Sequence, residues 1–160
     1  MAADENLATY LNDHLSGATA AVDLAEKSAS QNEGTPFGTF MADLKTAIDE
    51  DRGVLVTVME RLDIDTATVK QATGRLFEKV SRLRLHDAVT GDPVLSRLME
   101  LEALDMGVTG KLALWRTLQE VAATDTRLAQ TDLDTPIKRA RAQLQQIEEH
   151  HRETARAFAA

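Results

Sequence analysis

The sequence predicts an all-α protein, an up-down bundle of five helices in one domain over residues 1–160. Three observations carry that prediction. Apolar residues recur at the i, i+3, i+4, i+7 spacing of a helix face over most of the chain. Each of the three prolines stands behind a side chain able to cap a helix, at Thr35-Pro36, Asp92-Pro93 and Thr135-Pro136, and proline suits the first helical position because its missing N–H is not needed there. No segment shows the alternating pattern of a strand: β-branched clusters such as Val54–Val58 sit inside a helical period.

The helices are expected at about 5–32, 36–62, 66–89, 93–122 and 136–158. Gly34 and Gly91 lie where a preceding helix places its terminating glycine, and Asp65 before Thr66 is a fourth candidate cap. The first helix buries Leu7, Leu11, Leu15, Ala18, Val22 and Ala25. The second buries Phe37, Met41, Leu44, Ile48, Leu55, Val58, Met59 and Leu62. Over 66–89 the apolar positions are Val69, Leu76, Phe77, Val80 and Leu83. The segment 93–122 is the most apolar and holds the only tryptophan. Val94, Leu98, Leu101, Leu104, Val108, Leu112 and Trp115 share its main face, and Leu95, Met99, Met106 and Ala113 widen it. Gly107 and Gly110 interrupt this helix at a cost of up to about 1 kcal/mol each, a cost that close approach of a neighbouring helix would explain. The last helix buries Ile137, Ala140, Leu144, Ile147, Ala155 and Phe158. Short connections make consecutive helices antiparallel, and only 123–135 reads as a longer polar loop.

Composition narrows the function. Net charge is −8 and the pI about 5.0, which argues against nucleic acid as a partner, since phosphate binding requires a basic face. Charge is unevenly shared: residues 1–33 carry six acids and one base, whereas 66–89 carries Lys70, Arg75, Lys79, Arg82 and Arg84 against Glu78 and Asp87. That basic segment is expected to pack beside the acidic first two helices. There is no cysteine, which removes disulfides, thiol catalysis and thiolate metal sites. No 18-residue uncharged apolar run suggests a membrane span. The start, MAADENLATYL, lacks the basic and apolar regions of a signal peptide, so a cytoplasmic location is the expectation. No Gly-x-Ser-x-Gly elbow, P-loop or His-Glu-x-x-His pattern occurs.

The informative residues break the apolar stripes. His14 interrupts Leu7, Leu11, Ala18, and Asp51 interrupts Leu44, Ile48, Leu55. Asp105 falls within the buried arc of 93–122, with Glu102 on its flank. Glu148 and His151 follow Leu144 and Ile147 on one face. By contrast Asp13, Asp49, Glu50, Glu78, Glu100, Glu149 and His150 are expected to face solvent. His14 lies 19 residues before Glu33 and Asp51 18 residues after it, so a turn there puts them at one level. A similar count from residue 129 places His151 within about a turn of Asp105. Four helices would then aim His14, Asp51, Asp105 and Glu148/His151 at one central region.

This pattern resembles the ferritin-like superfamily, whose core is two antiparallel helix pairs joined by a crossover. The segment 66–89 would be that crossover. In di-iron members each of two helices gives a Glu and each of the others a Glu-x-x-His. Glu148-Glu149-His150-His151 matches Glu-x-x-His, and Asp105 or Glu102 stands for a lone carboxylate. Two positions depart: Asp51 is followed three residues on by Val54, and His14 stands where a Glu is expected.

Three readings of the polar layer follow. It is a structural network, with His14 paired to Asp51 and His151 to Asp105 or Glu148, and with Arg52 and Arg116 balancing charge. Or it binds one iron, manganese or zinc ion through His14, Asp51, Asp105, Glu148 and His151. Or it is a two-metal redox site. The first gives a ferritin-like protein without redox activity, metal-free, that forms a homodimer or scaffolds a partner. The others give a divergent metal-dependent oxidoreductase.

Overall fold

A computed structural model describes residues 2–66 and 91–160, with side chains from Asp4 onward. The helix expected over 66–89, its basic charge and its crossover role lie outside the described residues. Four helices are described: α1 (Ala2–Gln31), α2 (Pro36–Arg61), α3 (Pro93–Ala122) and α4 (Asp134–Phe158), with a 3-10 turn at Thr126–Leu128 before α4. No strand occurs among the described residues, and none of these helices is long and apolar enough to cross a membrane.

The starts of α2 and α3 follow the proline rule. Thr35 Oγ1 accepts from the Gly38 N–H at 3.1 Å, and Asp92 Oδ1 accepts from the N–H groups of Val94 and Leu95 at 2.8 and 3.3 Å. Each bond satisfies a donor that the first helical turn leaves without a partner. The glycines before both starts, Gly34 and Gly91, have φ of +77° and +61°, the left-handed conformation that costs glycine least. The start of α4 differs from expectation. Its first turn is held by Asp132, whose carboxylate accepts from the N–H groups of Asp134 and Thr135 and from the Thr135 hydroxyl. Thr135 is therefore inside the helix, a partner of the cap and not the cap itself. The preceding connection is also less polar than its composition implies, because Leu128 and Leu133 turn inward and are buried.

Cross-helix contacts define the topology. Asn12 Nδ2 donates to the Asp65 carbonyl and Lys45 faces Glu26, so α1 and α2 form an antiparallel hairpin. Gln119 bonds Asp134 and His151 lies beside Glu102, so α3 and α4 form a second. The hairpins stack with α1 antiparallel to α3, through Ser28–Glu100 and Arg97–Asn32, and α2 antiparallel to α4, through Arg139–Glu50. It follows that α2 and α3 point the same way. The end of α2 and the start of α3 therefore lie at opposite ends of the bundle.

The core between the hairpins is formed by the expected stripes. Leu11, Met41, Leu55, Val58, Leu101, Leu104, Trp115, Leu118 and Ile147 are all at or below 1% exposure. Three expected members are exposed instead. Met106 is 68% exposed and Phe158 54%, one on the outer edge of the α3 arc and the other in the last turn of α4. Ala113 is exposed as well. The glycines of α3 are not close-approach sites: a Cβ at Gly107 would meet nothing within 4 Å, and one at Gly110 only the edge of His14.

Close approach occurs instead at Gly38. A Cβ there would lie 2.1 Å from the Asn32 carbonyl oxygen. That carbonyl also accepts from the Thr35 hydroxyl and N–H, so it cannot swing away without opening the α1–α2 turn. Gly38→Ala is therefore expected to destabilise the protein by about 1–3 kcal/mol, the usual cost of overpacking, despite alanine's higher helix propensity. An unchanged urea midpoint for this variant would rule out the tight turn.

Candidate functional site

The site is built around one buried carboxylate. Asp51, on the apolar stripe of α2, is 1% exposed. Such a group needs partners, because an unpaired ion in the interior loses its hydration with nothing in return. Lys111 of α3 supplies the closest: its Nζ donates to Asp51 Oδ2 at 2.6 Å and also to Gln143 Oε1 of α4. Gln143 Nε2 in turn lies 3.4 Å from Asp51 Oδ2. Arg139, one turn earlier on α4, holds Nε 2.7 Å from Asp51 Oδ1. The N–H does not point along that line, so the contact is an ion pair and neither atom counts as hydrogen-bonded. The other end of Arg139 reaches Glu50 Oε2 at 2.6 Å. Three helices thus meet at Asp51, and this cluster ties the two hairpins together.

Lys111 is the residue that sequence reasoning missed. It is 9% exposed. Burial pulls its ammonium below the ordinary 10.5; the charge and hydrogen bond of Asp51 oppose this, and the Arg139 charge adds to it. Its position was legible. The series Leu101, Leu104, Val108, Lys111, Trp115, Leu118 keeps strict helical spacing, with one lysine among five apolar residues. Gln143 could be found the same way, between Ala140 and Ile147.

Above this cluster lies a cavity of about 230 Å³ between α1, α2 and α3. Its space comes from missing side-chain volume: Gly17, Ala18 and Ala21 on α1 oppose Gly107 and Gly110 on α3. Ile48, Leu55, Val108, Leu114 and Trp115 give it apolar walls, while Asp51 and Lys111 also line it, and exposed Asp13 and Met106 lie at its rim. The Trp115 indole is 1% exposed and its Nε1 has no hydrogen-bond partner.

His14 lines the same cavity together with Asp51, but it makes no hydrogen bond to it. Its ring sits edge-on to Tyr10 with centroids 4.6 Å apart. Burial holds the imidazole below its ordinary 6.5, opposed in part by the Asp13 carboxylate.

The remaining members of the expected layer are elsewhere. Asp105 is half-buried on α3 and does not line the cavity. Glu148 is exposed and pairs with Arg152 at 3.2 Å. His151 meets neither of its expected partners; its Nε2 lies 3.3 Å from Glu102 Oε1 in a pair open to water. The charge balance expected from Arg52 comes from Arg139, since Arg52 pairs with Asp49. Two residues expected to face solvent do not. Glu100 is 5% exposed and accepts from the Ser28 hydroxyl at 2.6 Å, and His150 stacks on Phe40 at 3.9 Å. Among the described residues no three His, Asp or Glu side chains come together as a metal ion would require. The donor set at Asp51 also does not suit one, because two cations already press on that carboxylate. No family model, curated protein or solved structure matches the chain.

Two outcomes follow from this geometry. Asp51→Leu leaves Lys111 buried without its counter-ion and is expected to cost about 3–5 kcal/mol. The double variant Asp51→Leu/Lys111→Met removes both charges and should recover at least about 1 kcal/mol of that loss; a urea-denaturation cycle showing simple additivity would contradict the pairing. His14 gives a pH dependence of known sign. Its pKa is lower folded than unfolded, so between the two values the unfolded chain binds more protons and stability rises with pH. Acidification from about pH 7.5 to about pH 5.5, a unit to either side of the ordinary value, should therefore cost the wild type more stability than His14→Gln. Equal losses would show that His14 resists no proton.

Proposed function

We propose that this chain is a metal-free bundle of ferritin-like chain order that works by binding a small molecule in its core and carries out no redox chemistry. The observation that carries this reading is the cavity beside the Lys111–Asp51 pair. Ligand sites in helical bundles lie between helices, with mostly apolar walls and a few placed polar groups, and this cavity has that character. An apolar cavity of about 150 Å³ is large enough for benzene, so a space of about 230 Å³ has room for a monocyclic molecule.

The ferritin-like part rests on the helix directions. Two antiparallel pairs in which the second and third core helices run the same way need one long connection, as in that superfamily. The metal-free part rests on the chemistry at Asp51. Where a di-metal bundle aims carboxylates at cations from solution, this one supplies its own in Lys111 and Arg139. Their positive charge opposes any metal ion at that carboxylate.

Two measurements test the reading. Toluene at ten times its Kd is expected to stabilise the wild type by about 1.4 kcal/mol and to leave Gly110→Leu, whose side chain fills the cavity, unaffected. No stabilisation at toluene saturation would overturn the ligand-binding role. Chelator treatment should leave the melting temperature unchanged, and stoichiometric iron, manganese or zinc in the purified protein would overturn the metal-free one.

A further inference from the structure

We infer that the ligand is a small carboxylic acid, bound with its apolar body between α1 and α3 and its carboxylate toward Lys111 and Trp115. This rests on the ligand-binding reading above and adds the chemical class.

The polar groups at the cavity are unequal in what they have left to offer. An ammonium has three N–H donors, and Lys111 spends two, on Asp51 and Gln143. The Trp115 Nε1–H is a donor with no partner, in a ring almost wholly out of water. A buried donor left unmade costs the protein its hydration, and a ligand acceptor returns it. The acceptor side differs. Asp51 Oδ2 accepts from Lys111, and Oδ1 lies 2.7 Å from the Arg139 guanidinium without a hydrogen bond. A ligand ammonium that reached Oδ1 would meet the positive charges of Lys111 and Arg139, which repel it.

Charge points the same way. At the buried end of the cavity two cations face the one carboxylate of Asp51. Glu50, which also pairs with Arg139, is 59% exposed, and Asp13 lies at the exposed rim, where water screens them. A ligand anion is therefore accommodated better beside Lys111 than a ligand cation. Size sets the body of the molecule. Scaling from benzene in about 150 Å³, the cavity volume of about 230 Å³ suits roughly nine non-hydrogen atoms, the count of benzoate. The small residues Gly17 and Gly110 give a flat ring access from the rim at Asp13 and Met106.

Because Trp115 is the only tryptophan, its emission reports on the cavity directly. The experiment titrates benzoate, toluene and benzylamine into the wild type, Lys111→Met and Gly110→Leu, with circular dichroism to verify folding. Benzoate is expected to shift Trp115 emission saturably and to bind at least about tenfold more tightly than toluene or benzylamine, the scale of a hydrogen bond to a charged group. Lys111→Met should remove that preference, while Gly110→Leu should abolish all binding. Toluene binding as tightly as benzoate, or benzylamine doing so, would overturn the carboxylate inference and leave the ligand-binding reading intact. Failure of all three probes would overturn both. Benzoate binding that survives Gly110→Leu would place the acid outside this cavity and also reject the inference. Should Lys111→Met not fold, the wild-type ranking of the three probes and the Gly110→Leu result decide the matter.

Discussion

The buried carboxylate of Asp51 is the constraint on which the arrangement depends. A charge at 1% exposure is tolerated only where its partners are delivered with good geometry. Here they come from two helices of the other hairpin, Lys111 and Gln143 within hydrogen-bond reach and Arg139 as an ion pair. Apolar stripes alone would let the hairpins slide by a turn at modest cost, because leucines pack adequately in more than one register. One slipped turn, about 5.4 Å, would separate Lys111 from Asp51 and strand both. The hydrophobic surface thus holds the hairpins together, and the ion cluster is satisfied in this alignment.

That alignment also shapes the cavity. With Lys111 fixed on Asp51, Gly107 and Gly110 are brought opposite Gly17, Ala18 and Ala21. Small residues on one helix alone would be filled by a neighbour's larger side chains. Small residues on both sides leave space, and the packing of Trp115, Leu114 and Leu55 keeps its walls firm. The charged cluster and the empty volume are therefore two results of one register.

Much of the fold was legible in the sequence, for identifiable reasons. The start of α3 at Pro93 and its end at Ala122 follow from a cap, a proline and an unbroken apolar period, all local signals. The inward position of Asp51 was legible because a stripe names its own exceptions. What failed depended on neighbours. Lys111 sits on an equally clear stripe, but a long aliphatic stem can bury while its head reaches water, so spacing alone does not decide whether the ammonium is inside. Glu100 lies on the flank of the α3 arc, and only the approach of Ser28 from α1 makes that flank interior. Glu148 and His151 share a helix face, as the pattern requires, but the side chain that meets α2 at this level is His150, on Phe40, and the pairs that Glu148 and His151 make are open to water. At Gly38 the sequence carried no signal, because the clash is with a backbone atom across a turn.

The order of the helices has a consequence for how the chain folds. Each hairpin closes through contacts between segments near in sequence, α1 with α2 and α3 with α4, which favours rapid formation. The Asp51–Lys111 pair joins residues 60 apart and can close only where the two hairpins meet. Closing it strips water from an ammonium and a carboxylate, a cost that their attraction and the contacts of Gln143 and Arg139 must offset. The contacts within each hairpin are local, and the charged contact between the hairpins carries a desolvation cost.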